Sequence, residues 1–222
     1  MIYLEKSQPA PECLVSEKAK ASGDYKCGDT LNRIKDDFKN KCYICEYKEP
    51  VTINVEHFRP HRGDRDLMFL WENLFWSCGH CNNVKLDNYT DIIDCTDIGE
   101  NIEQRIKISI KAFPMEQVDV EALDNNPSTL STVQLLNAVY NGTTKLKSIE
   151  SNNLRTKIQT DIADFRKYLF EYFDDRLDEV DKEYCLLQIK KHLKRAANFT
   201  LFKRVIIREN EVLRNEFEQY FD

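Results

Sequence analysis

Cys42-Tyr43-Ile44-Cys45, then Val55-Glu56-His57-Phe58-Arg59-Pro60, then Trp71-Glu72-Asn73-Leu74, then Cys78-Gly79-His80-Cys81-Asn82-Asn83-Val84-Lys85: two thiol pairs, each with a two-residue gap, bracket a Glu-His dipeptide and two asparagines. A structural zinc takes four soft ligands in a tetrahedron, and two Cys-x-x-Cys knuckles supply them. Residues 46–77 lie between the knuckles, which leaves room for a small folded insert. A redox Cys-x-x-Cys is usually single and sits at a strand-to-helix junction, so the doubled pattern favours metal. Cys42, Cys45, Cys78 and Cys81 are therefore expected to hold a structural zinc. His80, inside the second knuckle, is expected to be a neighbour of the clamp and not a ligand.

Working outward, Val51, Ile53 and Val55 alternate with Thr52, Asn54 and Glu56, which predicts a strand over Pro50 to Phe58. The apolar run Asp66 to Trp76 reads as a loop with a short strand or turn around Asn73, and Cys81 to about Leu86 as the start of a helix. Upstream, Leu31, Ile34 and Phe38 mark one face of a helix capped by Asp29 or Thr30 and ending near Asn40. Downstream, Ile106, Ile108 and Ile110 alternate as in a strand. From Ser131 the periodicity is helical, with helices around 151–173, 179–196 and 199–221. The expected fold class is α+β, with an N-terminal segment carrying a helix (1–40), a small clamped module (41–100) and a mainly α-helical C-terminal domain (101–222).

Composition narrows the setting. The chain has 222 residues and is 41% hydrophobic and 32% charged. No apolar run approaches the roughly 18 residues of a membrane span, and the charged start Met1-Ile-Tyr-Leu-Glu-Lys6 lacks the core of a signal peptide. A soluble, cytoplasmic protein with no membrane partner is expected. Cys13, Cys27, Cys95 and Cys185 are scattered singles, expected to be free thiols. The net charge of −6 argues against a nucleic-acid partner on average, but the charge is segregated. Residues 161–183 are rich in acids, whereas Lys190, Lys191, Lys194, Arg195, Lys203, Arg204 and Arg208 follow without any. Two solvated helix faces and one phosphate-contacting surface both fit that pattern.

The insert carries the chemistry. A histidine at a strand end can act as general base near neutral pH, which suits His57. A hard cation such as Mg²⁺ takes oxygen ligands, and Glu56 and the side-chain carbonyl of Asn82 are suitable donors. Asn73 alone reads equally as a turn residue. Arg59, Arg62 and Lys85 flank the motif as candidate phosphate contacts or solvated charges.

Over residues 40–88 this order of residues resembles an HNH endonuclease of the ββα-metal, four-cysteine zinc type, as in McrA-like restriction nucleases. The resemblance implies His57 as the base that activates water, Glu56 and Asn82 as ligands of a catalytic Mg²⁺ or Mn²⁺, and Asn73 as a brace for the loop holding the base. Glu56 stands where aspartate is more frequent, and Asn82, in the Cys-Asn-x-x-Lys form, where many members carry histidine. A looser likeness, through Lys41-Cys-Tyr-Ile-Cys-Glu46, Val55-Glu-His-Phe-Arg-Pro60 and Trp71-Glu-Asn-Leu-Phe-Trp-Ser-Cys78, is to the PtuB-type HNH proteins of Septu and retron anti-phage systems. That likeness implies an ATPase partner (PtuA-like), and in retron systems a reverse transcriptase with its msDNA. The expected function is thus phosphodiester hydrolysis in nucleic acid, DNA favoured. The alternatives are an RNA-cleaving enzyme, for instance on tRNA, and a non-catalytic zinc module that binds nucleic acid or a partner.

Overall fold

The computed structural model describes residues 1–222. In chain order the elements are α1 (Cys13–Lys18), α2 (Thr30–Asp37), β1 (Ile53–His57), α3 (Arg65–Met68), β2 (Leu74–Cys78), α4 (Gly79–Lys85), α5 (Ile102–Arg105), β3 (Ile106–Lys111), β4 (Gln117–Ala122), α6 (Pro127–Asn141), α7 (Lys145–Tyr172), α8 (Glu179–Leu193), α9 (Thr200–Arg208) and α10 (Glu211–Phe217). The class is α+β, with two separate antiparallel hairpins among helices. No helix is long and apolar enough to cross a membrane.

β1 and β2 pair from Ile53↔Cys78 to His57↔Leu74. The expected strand from Pro50 is therefore shortened: β2 ends at Cys78, the last link runs from Gly79 N to Thr52 O (3.1 Å), and Val51 is exposed. The loop or turn expected around Asn73 resolves into a 3-10 turn over Trp71–Asn73 and then β2. All five β2 residues are buried, so the strand has no polar face and shows no alternation in sequence. α4 follows without a linker. Gly79 makes this junction possible, because a Cβ there would lie 2.7 Å from Thr52 Oγ1.

Beyond the first hairpin, β3 matches the expected strand, and β4 pairs with it from Ile106↔Ala122 to Lys111↔Gln117. The long final helix is instead two. Asn210 leaves the helical conformation and caps α10, its Oδ1 accepting from Leu213 N at 3.1 Å.

One continuous apolar core runs through all three anticipated segments. It joins Met1, Ile2 and Leu4 to Tyr43, Ile44, Trp71 and Phe75, and continues to Ile106, Leu135, Ile158 and Leu201. A smaller cluster of Phe165, Leu169, Ile189, Leu193, Ile207 and Phe217 closes the far end of the helices. The first residues form a strap across the central hairpin. Leu4 N donates to Cys95 O (2.9 Å), Trp71 Nε1 to Ser7 O (2.9 Å), and Lys6 Nζ to Leu74 O (2.7 Å).

Two sequence expectations are corrected. Cys13 and Cys27 form a disulfide, with Cα atoms 6.1 Å apart, and are not free thiols; Cys95 and Cys185 are free and buried. The basic run after residue 184 is not one exposed face. Lys203 and Arg204 are buried in ion pairs that tie the helices together. Lys203 Nζ donates to Asp161 Oδ2 (2.7 Å), while Arg204 bonds Glu103 Oε1 (2.7 Å) and the Leu193 carbonyl. Removing two such charges from water requires this pairing.

Lys203 Nζ also lies 3.2 Å from His192 Nδ1, so that ring must accept and stay neutral. Burial, aided by the Lys203 charge, pushes the His192 pKa below its ordinary value. A basic group with a depressed folded pKa is protonated more readily when unfolded. Its contribution to stability is therefore complete above the unfolded value of about 6.5 and is lost as pH falls through that value toward the folded one. Thermal melts should show Tm dropping as pH falls from about 7.5 to about 5.5. His192→Gln keeps the acceptor but cannot titrate, so the drop should be shallower in that variant; an identical slope would exclude His192 as its source.

Candidate functional site

The two knuckles converge because the β1–β2–α4 unit brings them together. Cys42 and Cys45 lie in a tight turn closed by a bridge between Lys41 and Lys48, where Glu46 N donates to Cys42 O (2.9 Å). Tyr43 N then donates to Trp76 O (3.0 Å), which fastens that turn to β2. Cys78 caps α4, its sulfur accepting from Cys81 N at 3.4 Å. All four thiols are buried, and their sulfur atoms lie within 4.8 Å of one another. Cys45 Sγ and Cys78 Sγ are 3.9 Å apart, against about 3.8 Å between sulfurs of a tetrahedron with Zn–S bonds near 2.3 Å. The cluster is close enough to hold a metal ion and is compatible with a structural zinc.

His80 is not a member of the cluster. Its Nε2 lies 2.8 Å from Val139 O and its Nδ1 2.8 Å from Glu150 Oε2, so it bridges α4 to α6 and α7. Tyr140 adds a second link, its hydroxyl donating to Cys45 O at 3.3 Å. The helical region is thus bonded to both knuckles.

A cleft of about 530 Å³ opens beside the hairpin, and Glu56, His57 and Asn82 all line it. Glu56 is 6% exposed. Its Oε1 accepts from the Tyr43 hydroxyl and lies 3.7 Å from Lys85 Nζ, while Oε2 takes no hydrogen bond from the protein. Burial pushes the carboxyl pKa up; Lys85 and the Tyr43 hydroxyl pull it back, and the balance stands at about 7. Asn82, on the first turn of α4, makes no side-chain hydrogen bond within the protein and is half-buried.

His57, half-buried at the end of β1, has its Nε2 at 3.0 Å from the Met68 carbonyl. A carbonyl only accepts, so Nε2 carries the proton and Nδ1 keeps its lone pair. Burial lowers the pKa of the ring against the opposing pull of the Met68 bond, which favours this neutral form. Two rings pack edge-on against it, Tyr25 at 4.7 Å and His61 at 4.6 Å between centroids.

Asn73 is buried and faces away from the cleft. Its Oδ1 accepts from Arg59 N (2.7 Å), and its Nδ2 donates to Arg59 O (2.9 Å) and Leu67 O (2.9 Å). One carboxamide therefore ties together both ends of the loop that follows His57.

Of the expected phosphate contacts, Arg59 and Arg62 are exposed, and Arg62 lines the cleft. Lys85 is a correction. It is 1% exposed, and its ammonium donates to Phe58 O (3.0 Å) and His57 O (3.3 Å) beside Glu56. It lies four residues after Cys81, on the inward face of α4, which explains its burial. Asn54, His61, Tyr25 and Lys26 also line the cleft and were not anticipated. His61 lies just beyond the Glu-His motif, whereas nothing local to Tyr25 and Lys26 marks them as site residues.

Comparison with protein-family models and with curated proteins finds no match to this chain.

Proposed function

We propose that the chain is a metal-dependent nuclease of the HNH type, with a zinc held by Cys42, Cys45, Cys78 and Cys81 and a hydrolytic site at Glu56, His57 and Asn82. The observation that carries this reading is the convergence of those three side chains on one cleft, with Asn73 fastening the loop behind the histidine. The donor set suits a hard divalent cation: Glu56 Oε2 and the Asn82 side chain are oxygen-bearing groups left without protein partners. Bound there, Mg²⁺ or Mn²⁺ would neutralise charge developing on the leaving oxygen of a phosphodiester.

The remaining work falls to the chain's own groups. His57 Nδ1 is free to take a proton from water, and its Nε2–H bond to Met68 fixes the tautomer. Tyr43 and Lys85 hold one oxygen of Glu56 and leave the other without a protein partner. Arg62, at the rim, supplies a positive charge for a phosphate. With one such site per chain, a double-strand break requires two copies or two successive nicks.

Asn73→Ala would leave the Arg59 N–H and two carbonyls without their partner. A loss of about 2 kcal/mol is expected, read as a lower denaturation midpoint, with cleavage falling about tenfold as the His57 loop loosens. Unchanged stability would remove Asn73 from its bracing role.

DNA as substrate, and an ATPase as partner, rest on the resemblance to PtuB-type proteins. Incubating the protein with plasmid and with tRNA, in Mg²⁺ or Mn²⁺, with and without the candidate ATPase, separates the readings. Metal-dependent nicking that disappears in His57→Ala is the expected result; binding of either substrate without turnover in any combination would leave a non-catalytic zinc module.

A further inference from the structure

A second part of the chain reaches the same cleft. The segment between Cys13 and Cys27 is closed into a loop by their disulfide and carries Tyr25 and Lys26. Arg65, at the start of α3, grips the other side of this loop. Its guanidinium donates to Lys18 O (2.6 Å), Lys20 O (2.6 Å) and Glu17 O (3.3 Å). Gly23 lies so close to the Glu17 carbonyl that a Cβ would fall 1.8 Å from its oxygen. The loop is therefore fixed covalently at its neck and by hydrogen bonds along its body. Held this way, it presses the Tyr25 ring edge-on against His57, and Lys26 lines the cleft without an ion-pair partner.

We propose that this disulfide-closed loop is a wall of the hydrolytic site, in which Tyr25 is a positioning residue for His57 and Lys26 contacts a phosphate of a nucleic-acid substrate. The proposal rests on the nuclease reading. His57 is fixed by one hydrogen bond, to Met68, and a single bond leaves the imidazole free to swing about it. Edge contacts from both Tyr25 and His61 restrict that freedom. An aromatic edge contact needs the ring and not the hydroxyl. Lys26 is exposed, so its charge is available to an incoming backbone phosphate.

The two residues should separate kinetically. Tyr25→Ala should lower kcat about tenfold with KM within about twofold, and Tyr25→Phe should restore it. Lys26→Ala should raise KM and leave kcat in place, with a shallower dependence of KM on salt. A Cys13→Ser/Cys27→Ser double variant, which frees the neck while keeping the Tyr25 side chain, should resemble Tyr25→Ala. The His57 ring resonances in an NMR spectrum give a readout independent of turnover. They should shift in Tyr25→Ala and in the double variant, and stay in place in Tyr25→Phe. Unchanged His57 resonances in Tyr25→Ala, or equal losses of kcat in the Ala and Phe variants, would overturn the positioning role. An unchanged KM in Lys26→Ala would overturn the phosphate contact. If the wild-type protein cleaves nothing, the nuclease reading and the Lys26 contact both fail, and the resonances alone decide whether Tyr25 fixes the imidazole.

Discussion

Stripping the metal from the four-cysteine cluster is expected to unfold the chain as a whole. Cys42, Cys45, Cys78 and Cys81 are all members of the large apolar core that also contains Met1, Leu135, Ile158 and Leu201. Without the ion, four buried thiols would be left packed against one another with no cation to bind them. Structural zinc contributes about 10–16 kcal/mol in small modules, as much as the roughly 5–15 kcal/mol that a whole domain has in reserve. Tyr140 and His80 bond the knuckle region directly to the helices, so the loss cannot stay confined to one turn. Elemental analysis should find one zinc per chain, and a chelator should replace the cooperative thermal transition by a broad one. Adding zinc back should restore it, which distinguishes metal loss from irreversible damage. Cys78→Ala should have a further cost, because that sulfur also caps α4 and alanine cannot. An ion-free protein that melts within about 3 °C of the loaded one would end the structural assignment.

Much of this architecture was legible because thiol spacing is a strong chemical constraint. Two Cys-x-x-Cys pairs predict a cluster whatever lies between them, and the four sulfurs do converge. The Glu-His dipeptide could be placed at a strand end because residues 51–56 alternate apolar and polar in sequence, although Val55 and Glu56 are both buried in β1. β2 could not be delimited, since Leu74, Phe75, Trp76, Ser77 and Cys78 are buried on both sides of the strand. Lys85 reads in the sequence as a phosphate contact or a solvated charge, because lysine is almost always exposed. Its position one helical turn after Cys81 is what places it on the inward face of α4. The ion pairs of Lys203 and Arg204 were hidden for a different reason: their partners, Asp161 and Glu103, are remote in sequence. Remoteness also concealed Tyr25, which reaches His57 only because a disulfide and Arg65 fold its loop back over the hairpin.

His57→Ala is expected to lower metal-dependent cleavage by about a thousandfold, within the range that a general base contributes. The loss should come with little change in fold. His57 is half-buried, its ring's one hydrogen bond is to the Met68 carbonyl, and water can take the ring's place there. Zinc content should be unchanged, since the imidazole is not part of the sulfur cluster. The informative comparison is Glu56→Gln. That change keeps an acceptor for the Tyr43 hydroxyl but removes the anionic charge offered to a cation at Oε2. Glu56→Gln should therefore shift the Mg²⁺ or Mn²⁺ concentration needed for half-maximal cleavage, whereas His57→Ala should lower the plateau and leave that concentration alone. The separation follows from the geometry of the hairpin, which holds one carboxylate oxygen by Tyr43 and Lys85 and one imidazole nitrogen by Met68, leaving each group a single atom without a protein partner. Full cleavage by His57→Ala would remove the base. Identical metal curves for Glu56→Gln and wild type would move the cation elsewhere in the cleft, with the exposed carboxylate of Asp87 the next oxygen donor on its wall.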